Sequence, residues 1–432
     1  MRRPALVTLF SGTAIAASAA FIACGNGDDN ASPVPPATVP DASPDGTVGD
    51  DGGKSEAGPS TTPDGGTGDA GGDGATTTAQ LKHVYTIMME NHAQAQIIGD
   101  TTDAPNMNML ASTYGQATQY YGVTHPSLPN YLAAISGDFQ GIFDDCNAGA
   151  AITCEVEEFI PNSGDGTANA LMTSQQADNA SMIPHWFSGS TIVDQLEAKG
   201  LTWVAYMGDL IATGDTNGGA PIIPATDGGA PDILNLYAQK HNPFEYFQSI
   251  RTNTNRMQKI VPYTNFGTDI AGSTMPNYVW ISPDQCADMH GVHADTAAYA
   301  DAGFCAGTAA DNDMSPDVIK YGDAFVGDLV KKIMASPTWN EGSAIIIVFD
   351  EDDYVRNDGC CGSPTGMDGG YLGGALVPAI VVSSLNPHPT KLTDPFNHYS
   401  MLATLQNIWG LGCLANTCGM SGNQLMTKLF LP

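Results

Sequence analysis

Several apolar runs in this chain end in clusters of oxygen-bearing side chains. Residues 85–89 run into Glu90-Asn91-His92, and residues 345–349 run into Asp350-Glu351-Asp352-Asp353. A third run, residues 278–281, leads into Asp284-Gln285-Cys286-Ala287-Asp288-Met289-His290, and Asn397-His398-Tyr399-Ser400 stands just before a helical pattern. Two carboxylates at one strand end, with a carboxylate and an amide at another, make an oxygen-rich pocket. Oxygen donors favour a hard cation such as Ca²⁺, Mg²⁺ or Mn²⁺, and added histidine admits Zn²⁺ or Fe. An isolated acidic run is usually a solvated loop. Residues 350–353 point to a site because they follow a buried-strand pattern directly. His92 and His185 read as surface or helix-capping histidines.

The segment Thr124-His125-Pro126-Ser127-Leu128-Pro129-Asn130-Tyr131 carries further chemistry. Pro129 suits the first turn of a helix reaching about Ser136, where Gly137 stops it. Ser127 then falls at or just before the helix N-terminus, where free backbone N–H groups and the helix dipole favour an anion such as phosphate. A hydroxyl there is either a helix cap or a nucleophile, and the segment by itself favours the cap. Thr124 is a second hydroxyl candidate.

The elements that must position these groups form an alternating pattern. Residues 84–89, 201–206, 278–281, 344–349 and 379–382 read as buried parallel strands. Helical patterns lie between them. One starts at Thr191 with Asp194 at the capping-box position and ends at Gly200. Another starts at Ser315-Pro316 and runs to about Ala335, and a third follows Asn397 to about Trp409. Alternating strands and helices predict an α/β fold with a mostly parallel central sheet and helices on both faces. Ligand sites in such sheets lie beyond the carboxyl ends of the strands, where the acidic clusters fall.

The N-terminal part reads differently. Arg2 and Arg3 precede an apolar run over residues 5–23, too short and too rich in small residues for a membrane span, so residues 1–24 read as a signal peptide. Phe21-Ile22-Ala23-Cys24-Gly25 resembles a bacterial lipobox, whose Cys is acylated, although Phe21 stands where Leu is usual. The other reading is an ordinary signal peptide cleaved nearby. Residues 25–78 are Gly, Asp, Pro, Ser and Thr with almost no large apolar side chain, and predict a disordered tether. Residues 79–432 then form one catalytic domain. The expected location is outside the cytoplasm, as an outer-membrane or cell-surface lipoprotein, or else periplasmic or secreted.

The formal net charge is -31, and the acidic residues of the tether account for a minority of it. An acidic domain with no basic stripe should not bind nucleic acid. Local positive charge for an anionic substrate must come from elsewhere, and a metal ion is the obvious source. The chain has 9 Cys. Setting Cys24 aside leaves an even number, which in an exported chain argues for disulfides. The simplest pairs are Cys146 with Cys154, Cys286 with Cys305, and Cys413 with Cys418. Cys360 and Cys361 are left over and could bond elsewhere. No Cys spacing matches a zinc ribbon or finger.

Taken in order, Met89-Glu90-Asn91, His125-Pro126-Ser127-Leu128-Pro129-Asn130-Tyr131-Leu132 with Ser136-Gly137, Phe349-Asp350-Glu351 and Asn397-His398-Tyr399-Ser400 resemble the signatures of the bacterial phosphoesterase family. That family includes secreted acid phosphatases and phospholipases C of the alkaline-phosphatase-like superfamily. Thr202-Trp203, Ala205-Tyr206-Met207 and Lys240-His241-Asn242-Pro243 resemble its acid phosphatase branch. The resemblance implies that Glu90 and Asn91 form one half of a divalent-metal site and Asp350 and Glu351 the other, with Ser127 as nucleophile against the metal. It places His290 and His398 around the metal or phosphoryl group, as acid or base, and adds His125 to the catalytic candidates. It suggests Lys240, His241 and Asn130 as substrate contacts. Asp350-Glu351 stands where two-zinc alkaline phosphatases have Asp-His, which implies a single or less zinc-like site; the ion could be Ca, Mg, Mn, Fe or Zn. Tyr131 stands where related sulfatases need Arg. His92-Ala93-Gln94 departs from the Ser-aromatic continuation of many phospholipases C.

The resulting expectation is an exported, acid phosphatase-like phosphomonoesterase that hydrolyses phosphate esters through a phosphoserine, with a lipid anchor as its membrane contact. The alternatives are a phospholipase C-type phosphodiesterase and a non-catalytic metal-binding surface protein. Nothing in the sequence indicates an oligomeric state.

Overall fold

The computed structural model describes residues 80–156, 172–216, 236–293, 306–307 and 316–432. The chain divides into two units, Met1–Asp73 and Gly74–Pro432, and all described residues belong to the second. The expected signal peptide (1–24), its Cys24 and the tether (25–78) lie outside the described residues.

An eight-stranded sheet is built from β1 (His83–Met89), β2 (Gly115–Ala117), β3 (Trp203–Met207), β4 (Ile260–Pro262), β5 (Tyr278–Ser282), β6 (Ser343–Phe349), β7 (Ala379–Ser383) and β8 (Thr390–Leu392). Its spatial order is β8-β2-β7-β6-β1-β5-β3-β4. From β6 through β1, β5, β3 and β4 the pairing is parallel. Every residue of β1, β5 and β6 is buried, as an apolar run covered on both faces requires. The helices include α1 (Pro105–Thr113), α2 (Ser127–Ser136), α3 (Ile192–Ala198), α4 (Pro316–Met334) and α5 (His398–Trp409), of which α2 and α5 carry residues of the site. No helix among the described residues is long and apolar enough to cross a membrane.

One strand departs from the parallel expectation. β7 pairs antiparallel with both β6 and β2. A parallel return needs a crossover to the other end of the sheet, usually through a helix. The connection over residues 350–378 contains only a short 3-10 turn at Met367–Gly369, so the chain re-enters from the edge at which β6 left. β3 also begins two residues later than its apolar pattern. The three-residue strands β2, β4 and β8 are too short to show a period.

Helix ends follow the local chemistry. Thr191 caps α3, with its side chain accepting from Val193 N and its backbone N–H bonded to Asp194, and Gly200 adopts φ +76° behind it. Asn397 caps α5 by accepting from Tyr399 N at 3.0 Å and Ser400 N at 3.3 Å, and its Nδ2 donates to the Cys360 carbonyl at 3.1 Å. Asn397→Ala is therefore expected to lower stability by about 1–2 kcal/mol, read as a shifted denaturation midpoint at unchanged m-value.

Disulfides join Cys146 to Cys154 and Cys413 to Cys418, as the spacing suggests. Cys360 and Cys361 bond to each other rather than elsewhere. Cys286 is also disulfide-bonded, while Cys305 lies outside the described residues.

Candidate active site

The site forms where β6, β1 and β5 end side by side. Met89 is in register with Phe349, so Glu90-Asn91 and Asp350-Glu351 leave the sheet together. Asp350 N donates to the Met89 carbonyl at 3.0 Å, and Glu90 N donates to the Asp288 carbonyl at 2.9 Å, tying the segment after β5 to the same edge. Asn91 turns at φ +54°, a left-handed conformation that asparagine tolerates better than most residues. Its backbone N–H donates to Asp350 Oδ1 at 3.1 Å. A Cβ added at Gly122 would lie 2.6 Å from the Asp350 carbonyl oxygen, so only glycine lets that loop close on the site.

Helix α2 carries Ser127 to this edge as its first residue. Gly137 ends the helix at φ +73°. The Ser127 hydroxyl does not cap the helix. It lies 2.9 Å from Glu90 Oε2 and 3.2 Å from Glu351 Oε1, positioned to donate to either. The Thr124 hydroxyl donates instead to the His125 carbonyl at 3.4 Å.

Four carboxylates, Glu90, Asp288, Asp350 and Glu351, are wholly buried here. Burial, then the Asp350 and Asp288 charges, push the Glu90 carboxyl well above its usual range. Burial pushes Asp350 up to about 6, against the backbone N–H bonds that hold its charged form. Glu351 and Asp288 are raised by burial in the same way. Such a cluster costs heavily without counter-charge. Asn91 Oδ1, Asp288 Oδ2 and Asp350 Oδ2 are buried and accept no hydrogen bond among the described residues. Orphaned oxygens among mutually repelling carboxylates fit a divalent cation. Glu90, His241 and His290 also offer ligand atoms within 4.8 Å of one another.

The positions of the remaining expected residues divide them by role. His241 belongs with the carboxylates rather than with a substrate. Its ring nitrogens lie 3.1 Å from Glu90 Oε1 and 3.1 Å from Asp288 Oδ2, though not aligned to hydrogen-bond either. The ring stacks on Tyr131, with centroids 5.2 Å apart. Burial, then Lys240 and His290, keep it neutral, the state in which imidazole ligates metals. Lys240 Nζ donates to Asp145 Oδ2 at 2.7 Å and lies 3.3 Å from His290 Nε2. His290 Nδ1 faces the Gly291 carbonyl at 2.9 Å, so Nε2 accepts from Lys240. His125 bridges Glu351 to the Arg356 carbonyl and stacks on Tyr354.

Several expectations need correction. Asn130 is not free for substrate: Oδ1 accepts from Val123 N and Thr124 N, and Nδ2 donates to the Thr124 and Pro126 carbonyls. It holds the loop that presents Ser127. His398 stands behind Asp350. Its Nε2 donates to the Asp350 carbonyl at 2.8 Å and its Nδ1 accepts from Tyr120 OH at 3.0 Å, so neither nitrogen is left for acid or base work. Burial lowers its pKa to about 4. His92 and His185 are buried, not on the surface. His92 Nδ1 donates to the Glu90 carbonyl, and His185 Nε2 pairs with Asp144 at 2.7 Å.

Three contributors had no assigned role in the sequence: Asp288, Asp145 and Tyr131. Tyr131 OH donates to Glu90 Oε1 at 2.5 Å, and burial, then the nearby carboxylates, keep its proton on. Asp288 stands in a segment whose position after β5 could have drawn notice. Nothing local distinguishes Asp145.

Comparison with known proteins matches residues 100–412 to the phosphoesterase family model; Glu90 and Asn91 precede that stretch. The chain is 24% identical over 324 residues to an acid phosphatase of Aspergillus fumigatus, covering 74% of this chain and 54% of that one. It is 25% identical over 340 residues to a phosphatidylinositol-3-phosphatase of Mycobacterium tuberculosis, covering 78% and 80%. A solved protein in the alkaline phosphatase superfamily from Vibrio parahaemolyticus is similar at 16% identity and TM-score 0.41, over 77% of this chain and 67% of that one. The chain spans little more than half the length of the fungal relatives it matches. With Ser127, Lys240, His241, Asp288, Asp350 and Glu351 all inside the matched stretch, the chain belongs to the phosphoesterase family.

Proposed function

We propose that this protein is an exported, metal-dependent phosphomonoesterase that works through a phosphoserine at Ser127. The observation that carries the reading is the Ser127 hydroxyl held between Glu90 and Glu351 beside orphaned, buried oxygens of Asn91 and Asp350. A divalent cation held by Glu90, Asn91, Asp350 and Glu351, with Asp288 and His241 in reach, would supply Lewis acidity to the serine oxygen and to the phosphoryl group.

The chain's own residues supply the rest. Ser127 Oγ attacks phosphorus, and its proton has two carboxylate oxygens within hydrogen-bonding distance. Lys240 brings a full positive charge to the phosphoryl oxygens, since charge on Asp145 and Glu90 keeps it protonated against the effect of burial. His290, half-buried beside Lys240, would exchange protons with the leaving group or with the water that cleaves the phosphoserine once Lys240 turns from its Nε2 to the phosphoryl oxygens. His125 and His398 position Glu351 and Asp350. Export is supported by the disulfides, which persist in oxidising compartments.

Purified protein assayed on p-nitrophenyl phosphate, bis-p-nitrophenyl phosphate and phosphatidylcholine, with and without chelator, tests the reading. Turnover of the monoester, lost with chelator, is the expected result. Hydrolysis of only the diester or the lipid would replace the proposal with a phospholipase C. The mycobacterial relative makes phosphatidylinositol 3-phosphate, a lipid monoester, the next substrate to try.

A further inference from the structure

The carboxylate of Asp145 already occupies donors that a phosphoryl group would need. Its Oδ1 accepts from the backbone N–H of Leu128, the residue after the nucleophile in the first turn of α2, at 2.9 Å. Its Oδ2 accepts from Lys240 Nζ at 2.7 Å. Two oxygens on one central atom thus bridge a helix-terminal N–H beside Ser127 and the lysine at the site. A phosphoryl group attacked by Ser127 would present two non-bridging oxygens to the same pair. The Asp145 and Lys240 side chains are only 16% and 18% exposed, so there is little room for a second anion alongside.

The backbone around Asp145 is fastened on both sides. Asp144 is held by His185, and Cys146 is bonded to Cys154 and accepts Tyr246 OH on its carbonyl. Displacement of Asp145 would therefore be a rotation of its side chain with the backbone in place.

We infer that Asp145 is a specificity-determining residue: an internal anion that the substrate must displace from Leu128 N–H and Lys240, and one whose charge weighs most against dianions such as inorganic phosphate. This rests on the phosphatase reading above. The cost of breaking the Asp145 contacts is the same for any substrate. The displaced carboxylate then repels a monoester dianion more than a diester monoanion, since repulsion scales with charge. Asp145 thereby weakens phosphate and monoester binding and narrows their advantage over diesters.

The test uses the full chain with its metal and compares wild type with Asp145→Asn, which keeps the shape and removes the charge. Inhibition by inorganic phosphate should strengthen about tenfold, and the ratio of kcat/KM for bis-p-nitrophenyl phosphate to that for p-nitrophenyl phosphate should fall about threefold. Asp145→Ser, smaller and also neutral, must move both quantities in the same direction and guards against a folding artefact of one variant. Phosphate inhibition that is unchanged or weaker would overturn the inference and leave Asp145 as a positioning residue for Lys240. If wild type hydrolyses no phosphate ester, the phosphatase reading fails separately. Phosphate binding by calorimetry to wild type and Asp145→Asn then still reads the displacement, and equal affinities would sink it.

Discussion

Ser127→Ala is expected to lower kcat for p-nitrophenyl phosphate by roughly 10³-fold or more while leaving the protein folded. The hydroxyl is the only atom lost, and it makes no cap bond to its own helix, so α2 should survive. What disappears is the hydroxyl between Glu90 and Glu351, the proposed nucleophile. The measurement is steady-state kinetics beside a circular dichroism melt. A variant that turns over at the wild-type rate would remove Ser127 from its role. Thr124 would be a poor replacement, because its hydroxyl points to the His125 carbonyl. Trapping radiolabelled phosphate on wild type but not on the alanine variant would identify the covalent step directly.

Removing the metal should abolish activity and also lower stability. The physical ground is the set of wholly buried carboxylates Glu90, Asp288, Asp350 and Glu351, whose charged forms are disfavoured by burial and by each other. A cation that binds only the folded state stabilises it by about 2.7 kcal/mol when present at a hundred times its dissociation constant. Thermal melts with chelator and with each of Ca²⁺, Mg²⁺, Mn²⁺, Fe²⁺ and Zn²⁺ added back therefore report the ion independently of turnover. Glu90→Gln removes one carboxylate from the same centre. Its activity should fall by at least about 10²-fold, as loss of a charged group at a metal centre does. Its metal-free form should melt no lower than metal-free wild type, because one repelling charge is gone. A chelated wild type that melts and turns over like the untreated protein would show that the carboxylates need no cation.

The sheet was legible because its central strands are buried on both faces, and such strands must be continuous apolar runs. β1, β5 and β6 each follow such a run. The helix boundaries at Thr191, Asn397 and Gly137 were legible because caps are local hydrogen-bond chemistry. The direction of β7 was not, since it depends on whether residues 350–378 cross the sheet, and their composition does not say. The disulfide between Cys360 and Cys361 was likewise open, because Cys counting leaves pairing undetermined.

At the site, the sequence by itself determined the chemical inventory: acids and an amide at strand ends, and a serine at the start of a helix. Adjacent parallel strands deliver their ends to one edge, which is why Glu90 and Asp350 meet although 259 positions separate Asn91 from Asp350. Only the tertiary structure decided which polar side chains face that centre and which support it. Asn130 is used on backbone groups and His398 on a backbone carbonyl and the Tyr120 hydroxyl, while Asp288 and Asp145 come in from loops and His241 from a 3-10 turn. A side chain's partners depend on which way its loop folds over the sheet, and that is set by packing and burial across the whole domain rather than by neighbours along the chain.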